Sequence, residues 1–502
     1  MSTSAPRRGA DPARLLAWEV LRAVDERGAY ANLMLPALMA GRRLSSRDRG
    51  LATELTYGSL RAQGMLDGVL GTVTSRPVDT VDPPVRDALR LGAYQLLSTR
   101  VPARAAVAST VDLVRATCGE RPVRFANAVL RRVAARIEET AGDLALLLSA
   151  PDVDLDPAGH LAAVSAHPRW IVEVVLEALG GDVAGARAAL AANDTRPGVH
   201  LVARPGRISA DELVAQAAEV GLRAHRGPWS PHAVHLDGGD PGILPAVISG
   251  DAAVQDEGSQ LVTLALAAVP TSGRDSGLTV DLCAGPGGKA ALLAALLATE
   301  PVPGGGGGPG GRPAGEQRPA VGRLLAMEPR AARAGLVAAS LAGFRAAGTV
   351  RADGRFPPLR PGAADRVLVD VPCSGLGALR RRPEARWRRT PADVTTLVPL
   401  QRQLLVAALD LVRPGGVVAY VTCSPHPEET SEVVNAVARQ RADISVLDAR
   451  RSPALADLGA GTLGAEGLGA ADGLGAGPFV QLWPHLHGTD AMFLALLRRG
   501  GD

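Results

Sequence analysis

Two cysteines, Cys373 and Cys423, stand fifty positions apart in matching surroundings. Each follows an apolar, strand-like run: Arg366-Val367-Leu368-Val369-Asp370-Val371-Pro372-Cys373-Ser374-Gly375 and Gly416-Val417-Val418-Ala419-Tyr420-Val421-Thr422-Cys423-Ser424. Strands of a doubly wound sheet deliver their last residues to the carboxyl edge, where ligands sit. Both thiols and Asp370 are therefore expected at one edge. A thiolate there can attack a substrate and form a covalent intermediate. A free thiol titrates near about 8.5, so such a nucleophile needs activation by its surroundings or on substrate binding. Free cysteines usually serve as small buried hydrophobes. The joint occurrence of D-x-P-C-S-G with T-C-S-x-x-x-x-E, ending at Glu429, favours chemistry instead. His426 is close in sequence, but its spacing does not assign it as the base.

A ligand beside these thiols needs a cradle, and Thr279-Val280-Asp281-Leu282-Cys283-Ala284-Gly285-Pro286-Gly287-Gly288-Lys289-Ala290 has the form of one. A strand-like run breaks into a glycine turn and then into a helix-forming run. Glycines admit a ligand where a Cβ would collide, and a helix N-terminus offers unpaired N–H groups. Lys289 is the only lysine in the chain. A P-loop is excluded, because Cys283 and Ala290 replace its first glycine and its Ser/Thr. The dinucleotide fingerprint lacks its last glycine. The form D-x-x-A-x-P-G-G-K resembles the first motif of S-adenosylmethionine (AdoMet) methyltransferases. That resemblance implies that Cys283, Ala284, Gly285, Pro286, Gly287, Gly288 and Lys289 line the cofactor. Glu328 ends the next strand, where an acid of a doubly wound fold accepts ribose hydroxyls. Asp353 follows the strand after that and is expected to meet the adenine amino group.

The 502 residues suggest about three domains. Residues 1–145 read as an all-helical domain with arginine-rich faces. Residues 146–245 read as a linker and a small α/β connecting segment. Residues 246–502 read as an α/β Rossmann-like domain, with a disordered Gly/Pro-rich insertion at 301–322. The four cysteines form no C-x-x-C pair and no metal-ligand spacing, so no metal is expected. The start of the chain lacks a secretory signal and no apolar run reaches membrane-spanning length, so the expectation is a cytoplasmic protein. A net charge of +3 and a pI near 8.9 are compatible with RNA contact.

Two basic clusters are candidates for that contact. Arg380-Arg381-Arg382-Pro383-Glu384-Ala385-Arg386-Trp387-Arg388-Arg389 is the most basic run of the chain. Arginines pair with phosphates and an indole stacks on an unpaired base. Arg381, Arg382, Arg386, Trp387 and Arg388 are thus expected to meet single-stranded RNA, the alternative being a solvated charge run around a packed indole. In the helical part, Arg121, Arg124, Arg131, Arg132 and Arg136 cluster and could cradle phosphates.

Taken together, these motifs make the chain similar to bacterial RNA 5-methylcytosine methyltransferases of the RsmB (Sun/Fmu) type, which modify 16S ribosomal RNA. The phrases Tyr30-Ala31-Asn32, Asp48-Arg49-Gly50-Leu51 and Phe125-Ala126-Asn127-Ala128-Val129-Leu130-Arg131-Arg132 resemble the NusB-like RNA-binding fold that precedes the class I methyltransferase domain in that family. The resemblance implies Cys423 as nucleophile on cytosine C6, Cys373 in product release, Asp370 on the cytosine edge and in the cofactor site, AdoMet as cofactor, and free or partly assembled 16S rRNA as partner of a monomer. Two features depart from the family: Glu328 stands where aspartate is usual, and the Gly/Pro-rich insertion is foreign. A tRNA-directed enzyme with the same chemistry, and a non-catalytic RNA-binding factor, remain open on the residues alone.

Overall fold

The computed structural model describes residues 10–299, 322–456, 458, 474–475 and 477–500. The expected insertion lies outside the described residues except for Gly322. The chain divides into two compact units, one of Met1–Arg196 with Leu379–Thr390 and one of Pro197–Ala378 with Pro391–Asp502.

The first unit is helical. Its helices are α1 (Pro12–Arg27), α2 (Ala31–Ala40), α3 (Ser46–Arg61), α4 (Gln63–Val73), α5 (Pro83–Ser98), α6 (Ala103–Cys118), α7 (Val123–Glu139), α8 (Leu144–Leu148), α9 (Pro157–Val164), α10 (Arg169–Ala178) and α11 (Val183–Asp194). Starts are set by local chemistry. Asp11 accepts the Arg14 N–H ahead of Pro12, and Ser45 accepts the Asp48 N–H. Leu16, Val20, Leu55, Leu66, Leu89, Leu91 and Leu130 interlock as one fully covered core. Within it, Asp87 is held between Arg22 at 2.8 Å and Arg90 at 3.0 Å. The compact unit runs on through α8–α11 to Arg196, past the boundary expected at 145, because α8 and α9 pack on α4 and carry α10 and α11 with them.

The basic run 380–389 departs from the sequence reading at Arg386. It closes the helical unit as a single turn, α17 (Ala385–Arg388). Arg386 is 0% exposed, pairs with Asp194 at 2.6 Å, and donates to the carbonyls of Arg61, Ala166 and Asn193. The Trp387 indole donates to the Leu60 carbonyl at 3.1 Å. Its ring fills the space in which a Cβ on Gly64 would stand, 2.1 Å from the ring. Arg388 donates to the carbonyls of Val24, Gly28 and Ala29. The last carbonyls of a helix have no partner inside it. Here the ends of α1 and α3 are satisfied by guanidinium and indole N–H groups, so Arg386, Trp387 and Arg388 act as structural donors, and Arg386 is closed to an outside partner.

The second unit holds two sheets. The smaller is antiparallel, with β1 (Val199–Ala203), β2 (Ala224–Arg226), β3 (Ala233–Leu236) and β4 (Ala252–Val254) in the order β2-β3-β1-β4. Its helices are α12 (Ala210–Glu219), begun by a Ser209/Glu212 capping box, and the short α13 (Pro245–Ser249). The larger sheet has eight strands: β5 (Leu278–Asp281), β6 (Arg323–Met327), β7 (Ala347–Val350), β8 (Ala364–Asp370), β9 (Val412–Thr422), β10 (Ile444–Leu447), β11 (Val480–Gln481) and β12 (Phe493–Arg499). The main path is β7-β6-β5-β8-β9-β12-β10, and β11 pairs with β12. Strands β5 to β9 are parallel and β12 is antiparallel to both neighbours.

Strand alternation builds a core on each face. Val417, Ala419 and Val421 join Leu494 and Leu496 under α14 (Glu257–Ala268), α15 (Gly288–Thr299) and α16 (Ala331–Leu341). Val418 and Tyr420 join Phe493, Ala495 and Leu497 under α18 (Pro391–Leu411) and α19 (Ser431–Arg439). The chain leaves β5 toward β6 and β7, then returns to β8 on the other side. That reversal between β5 and β8 is the switch point at which such sheets bind ligands. No helix of the described residues is long and apolar enough to cross a membrane.

Candidate active site

Strands β8 and β9 run side by side, with Asp370 opposite Val421 and the Val371 N–H donating to the Val421 carbonyl at 3.0 Å. The register brings the two cysteines to the same edge. Their sulfurs are 3.4 Å apart, and both side chains are half-buried. The hydrogen bond with Cys423, and then burial, push the Cys373 thiol well above its ordinary value. Beneath them sits Glu429, 0% exposed. Its carboxylate accepts the Ser374 N–H at 2.7 Å, the Ser374 hydroxyl at 2.5 Å and the Gln401 amide at 3.0 Å. Ser374 also meets the Ser424 hydroxyl at 3.2 Å, and the Gly377 N–H donates to the Cys423 carbonyl at 2.9 Å. One buried acid thus ties together the loops that carry the two thiols. His426, buried, uses Nδ1 to accept the Glu428 N–H.

The glycine turn Cys283–Gly288 leads from β5 into α15. Gly285 and Gly287 have φ of +58° and +99°, the left-handed region that glycine enters without strain. A Cβ on Gly287 would stand 2.9 Å from that of Ser340. Lys289, in the first turn of α15, reaches across to Asp370 at 2.7 Å. Burial works to lower its ammonium, but the charge and hydrogen bond of Asp370, with Cys423 and Asp281 nearby, hold it above its ordinary value. Asp281 is 1% exposed; one oxygen accepts the Cys283 N–H and Oδ2 has no partner within the protein. Burial, then the charge of Asp370, push its carboxyl up to about 7. Burial and the surrounding acids likewise keep Cys283 a neutral thiol.

Glu328 follows β6, buried, and accepts the Arg330 N–H at 2.9 Å. Asp353 lies beyond the end of β7, where Arg355 grips it at 2.7 Å and holds its carboxyl below the ordinary range. The sheet edge therefore brings together Asp281, Glu328, Asp353, Asp370, Lys289, Cys373 and Cys423. Asp281 lay inside the recognised motif without a role, and Gln255, at the end of β4, had no motif to flag it. In the helical unit Arg131 and Arg132 are exposed on α7, with Arg132 also donating to the Val73 carbonyl. Arg382 is exposed and stands 5.8 Å over the Tyr30 ring, while Arg381 is half-buried.

Among the described residues, His200, His235 and Glu257 are close enough to suggest a metal site. The imidazoles instead stack at 3.9 Å with planes 7° apart, so their in-plane nitrogens do not converge on one centre. His235 bonds Glu257 at 2.8 Å, and the Glu257 N–H donates to His200 Nδ1 at 3.2 Å. The cluster braces the start of α14.

A doubly wound sheet with an antiparallel strand inserted beyond β9, a glycine turn after its first strand and acids on the following strand ends defines a Rossmann-like methyltransferase domain. The family model described as 16S rRNA methyltransferase RsmB/F matches residues 307–498. The NusB family matches residues 11–135, and the Methyltr_RsmF/B-like ferredoxin-like domain matches residues 167–241. A Mycobacterium tuberculosis protein named "Putative methyltransferase Rv1407" is 51% identical over 98% of each chain. Ribosomal RNA small subunit methyltransferase B of Cronobacter sakazakii is 31% identical over 84% of this chain and 89% of its own. The crystal structure of PH0851 shares the fold over 98% of this chain and 99% of its own, with TM-score 0.69 at 20% identity. The chain belongs to the RsmB/F methyltransferase family, with a NusB-like helical domain ahead of its methyltransferase domain.

Proposed function

We propose that the chain is an AdoMet-dependent methyltransferase that acts on C5 of a cytosine in 16S rRNA through a covalent adduct of Cys423. The observation that carries this reading is the 3.4 Å approach of two thiols beside a lysine–aspartate pair at the switch point of the sheet. Relatives named for the small-subunit ribosomal RNA support the substrate, and a Pyrococcus horikoshii NSun6 structure solved with SFG, an AdoMet analogue, has the same fold. The residues fit the cofactor: the left-handed glycines open the turn, and the buried Oδ2 of Asp281 still has an acceptor to offer. Cys283 to Lys289 would hold its methionyl side, Glu328 its ribose, Asp353 its adenine once released from Arg355, and Asp370 would share that wall.

Carbon 5 of cytosine is too weak a nucleophile unless the ring is first activated. The Cys423 thiolate adds to C6, breaking the C5–C6 double bond and giving C5 enamine character. Asp370 hydrogen-bonds the N3/N4 edge, accepting from the N4 amino group, and holds the ring in place for the adduct. When bound, AdoMet supplies the electrophilic methyl group that C5 accepts. A base then takes the C5 proton, the C5–C6 double bond re-forms and Cys423 leaves as thiolate, with Cys373 assisting release from 3.4 Å away. Exposed Arg131 and Arg132 contribute phosphate contacts to RNA that is free or partly assembled, and the protein acts as a cytoplasmic monomer.

Transfer of labelled methyl to unmethylated 16S rRNA tests this. Wild type should methylate cytosine C5, Cys423→Ala should lose turnover, and Cys373→Ala should accumulate a protein–RNA adduct. C5 methylation by Cys423→Ala would remove the nucleophile assignment. Methylation of tRNA in place of rRNA would move the substrate but keep the chemistry.

A further inference from the structure

Gln255 ends the β4 run outside the glycine turn, and its backbone is fixed on both sides. Its N–H donates to the His200 carbonyl at 2.9 Å, and its carbonyl accepts from the Gln260 amide at 3.1 Å. Its side chain contrasts with this. It is 8% exposed, yet neither Oε1 nor Nε2 has a partner within the protein. Buried amides are almost always satisfied, because leaving one unpaired forfeits its hydration without return. Such a group, fixed in place, calls for a ligand.

Its direction is given by the glycine it touches. A Cβ added at Gly288 would stand 3.8 Å from Gln255 Cδ and 4.0 Å from Nε2. Gly288 is the first residue of α15, a helix of 12 residues, whose leading N–H groups lack partners inside it and carry the positive end of its dipole. A donor amide beside such a terminus is a receptor for a carboxylate. At the start of the same turn, Asp281 presents the complementary group, a buried Oδ2 without a partner. One end of the turn thus offers donors and the other an acceptor, the pairing that an α-amino acid zwitterion requires.

We infer that Gln255 is a binding residue for the α-carboxylate at the amino-acid end of the cofactor, acting with the N-terminus of α15, while Asp281 receives the α-ammonium group. This rests on the AdoMet reading above and adds to it a side chain from the strand that precedes the methyltransferase core.

The test is calorimetric binding to the intact chain of two ligands: S-adenosylhomocysteine, which has the amino-acid end, and 5′-deoxy-5′-methylthioadenosine, which lacks it. Gln255→Leu should weaken S-adenosylhomocysteine about tenfold and leave methylthioadenosine unchanged. Gln255→Glu, of nearly the same shape, should weaken it further by placing a carboxylate against a carboxylate. It decides the matter if the leucine variant fails to fold. Unchanged S-adenosylhomocysteine affinity in the variants, or equal loss of both ligands at an unaltered melting temperature, would overturn the assignment. If wild type binds neither ligand, the AdoMet reading itself fails and the Gln255 role goes with it.

Discussion

Glu429 takes both the backbone N–H and the hydroxyl of Ser374, at 2.7 and 2.5 Å, from a position sealed against water. The carboxylate is bound to the residue after Cys373 and lies six residues after Cys423, and Ser374 in turn meets Ser424, so it is placed to hold the two cysteine loops together. Glu429→Ala strands three donors in a dry site and should cost about 3 kcal/mol in equilibrium unfolding. Glu429→Gln should retain the fold and AdoMet affinity but lower methyl-transfer turnover. An unaltered turnover in Glu429→Gln would show that the carboxylate does not position the cysteines.

Asp281 predicts a pH dependence of the cofactor-free chain. Its carboxyl is pushed up to about 7 by burial and by Asp370, against an ordinary value of 3.8. Lys289, Glu328 and Asp370 are the other charged groups that act on it. Between those two values the folded chain holds a proton that the unfolded chain has lost, so stability falls as pH rises through that window, by a few kcal/mol on the order of 1.4 per unit. Asp281→Asn should flatten this fall in urea titrations at several pH values. A wild-type profile already flat across the window would remove the raised carboxyl.

Arg386 should matter to folding and not to RNA affinity. Arg386→Met removes the donor to three carbonyls and the partner of Asp194, at a cost of about 3 kcal/mol or more. Thermal unfolding should show the loss in the helical unit. A fully stable variant with weakened RNA binding would restore the reading of this run as an RNA contact.

Arg131 and Arg132, exposed on α7, give the complementary expectation. Replacing both by glutamine should leave the melting temperature unchanged and weaken RNA binding across sequences. The slope of log affinity against log salt should shrink by about 0.7 for each phosphate that is no longer neutralised. An unchanged slope would place the phosphate path elsewhere.

Much of the site was legible because its signals are local. A strand followed by Gly285, Gly287 and Lys289, and strands that end in Asp370-Val371-Pro372-Cys373 and Thr422-Cys423-Ser424, state their place in a doubly wound sheet by spacing alone. The parallel register of β8 and β9 then leaves the two sulfurs little choice but to meet. Tertiary structure decided what depends on distant partners. A run of arginines is by default a solvated face, and only folding shows that the carbonyls at the ends of α1 and α3 consume the guanidinium groups of 386 and 388. Gln255 is the converse case. Nothing in its sequence neighbours distinguishes it from a surface amide, and its significance arises when burial removes water without supplying a partner. Spacing along the chain determined which groups reach the sheet edge. Which of them are free to bind was decided by the hydrogen-bond partners that long-range packing provides or withholds.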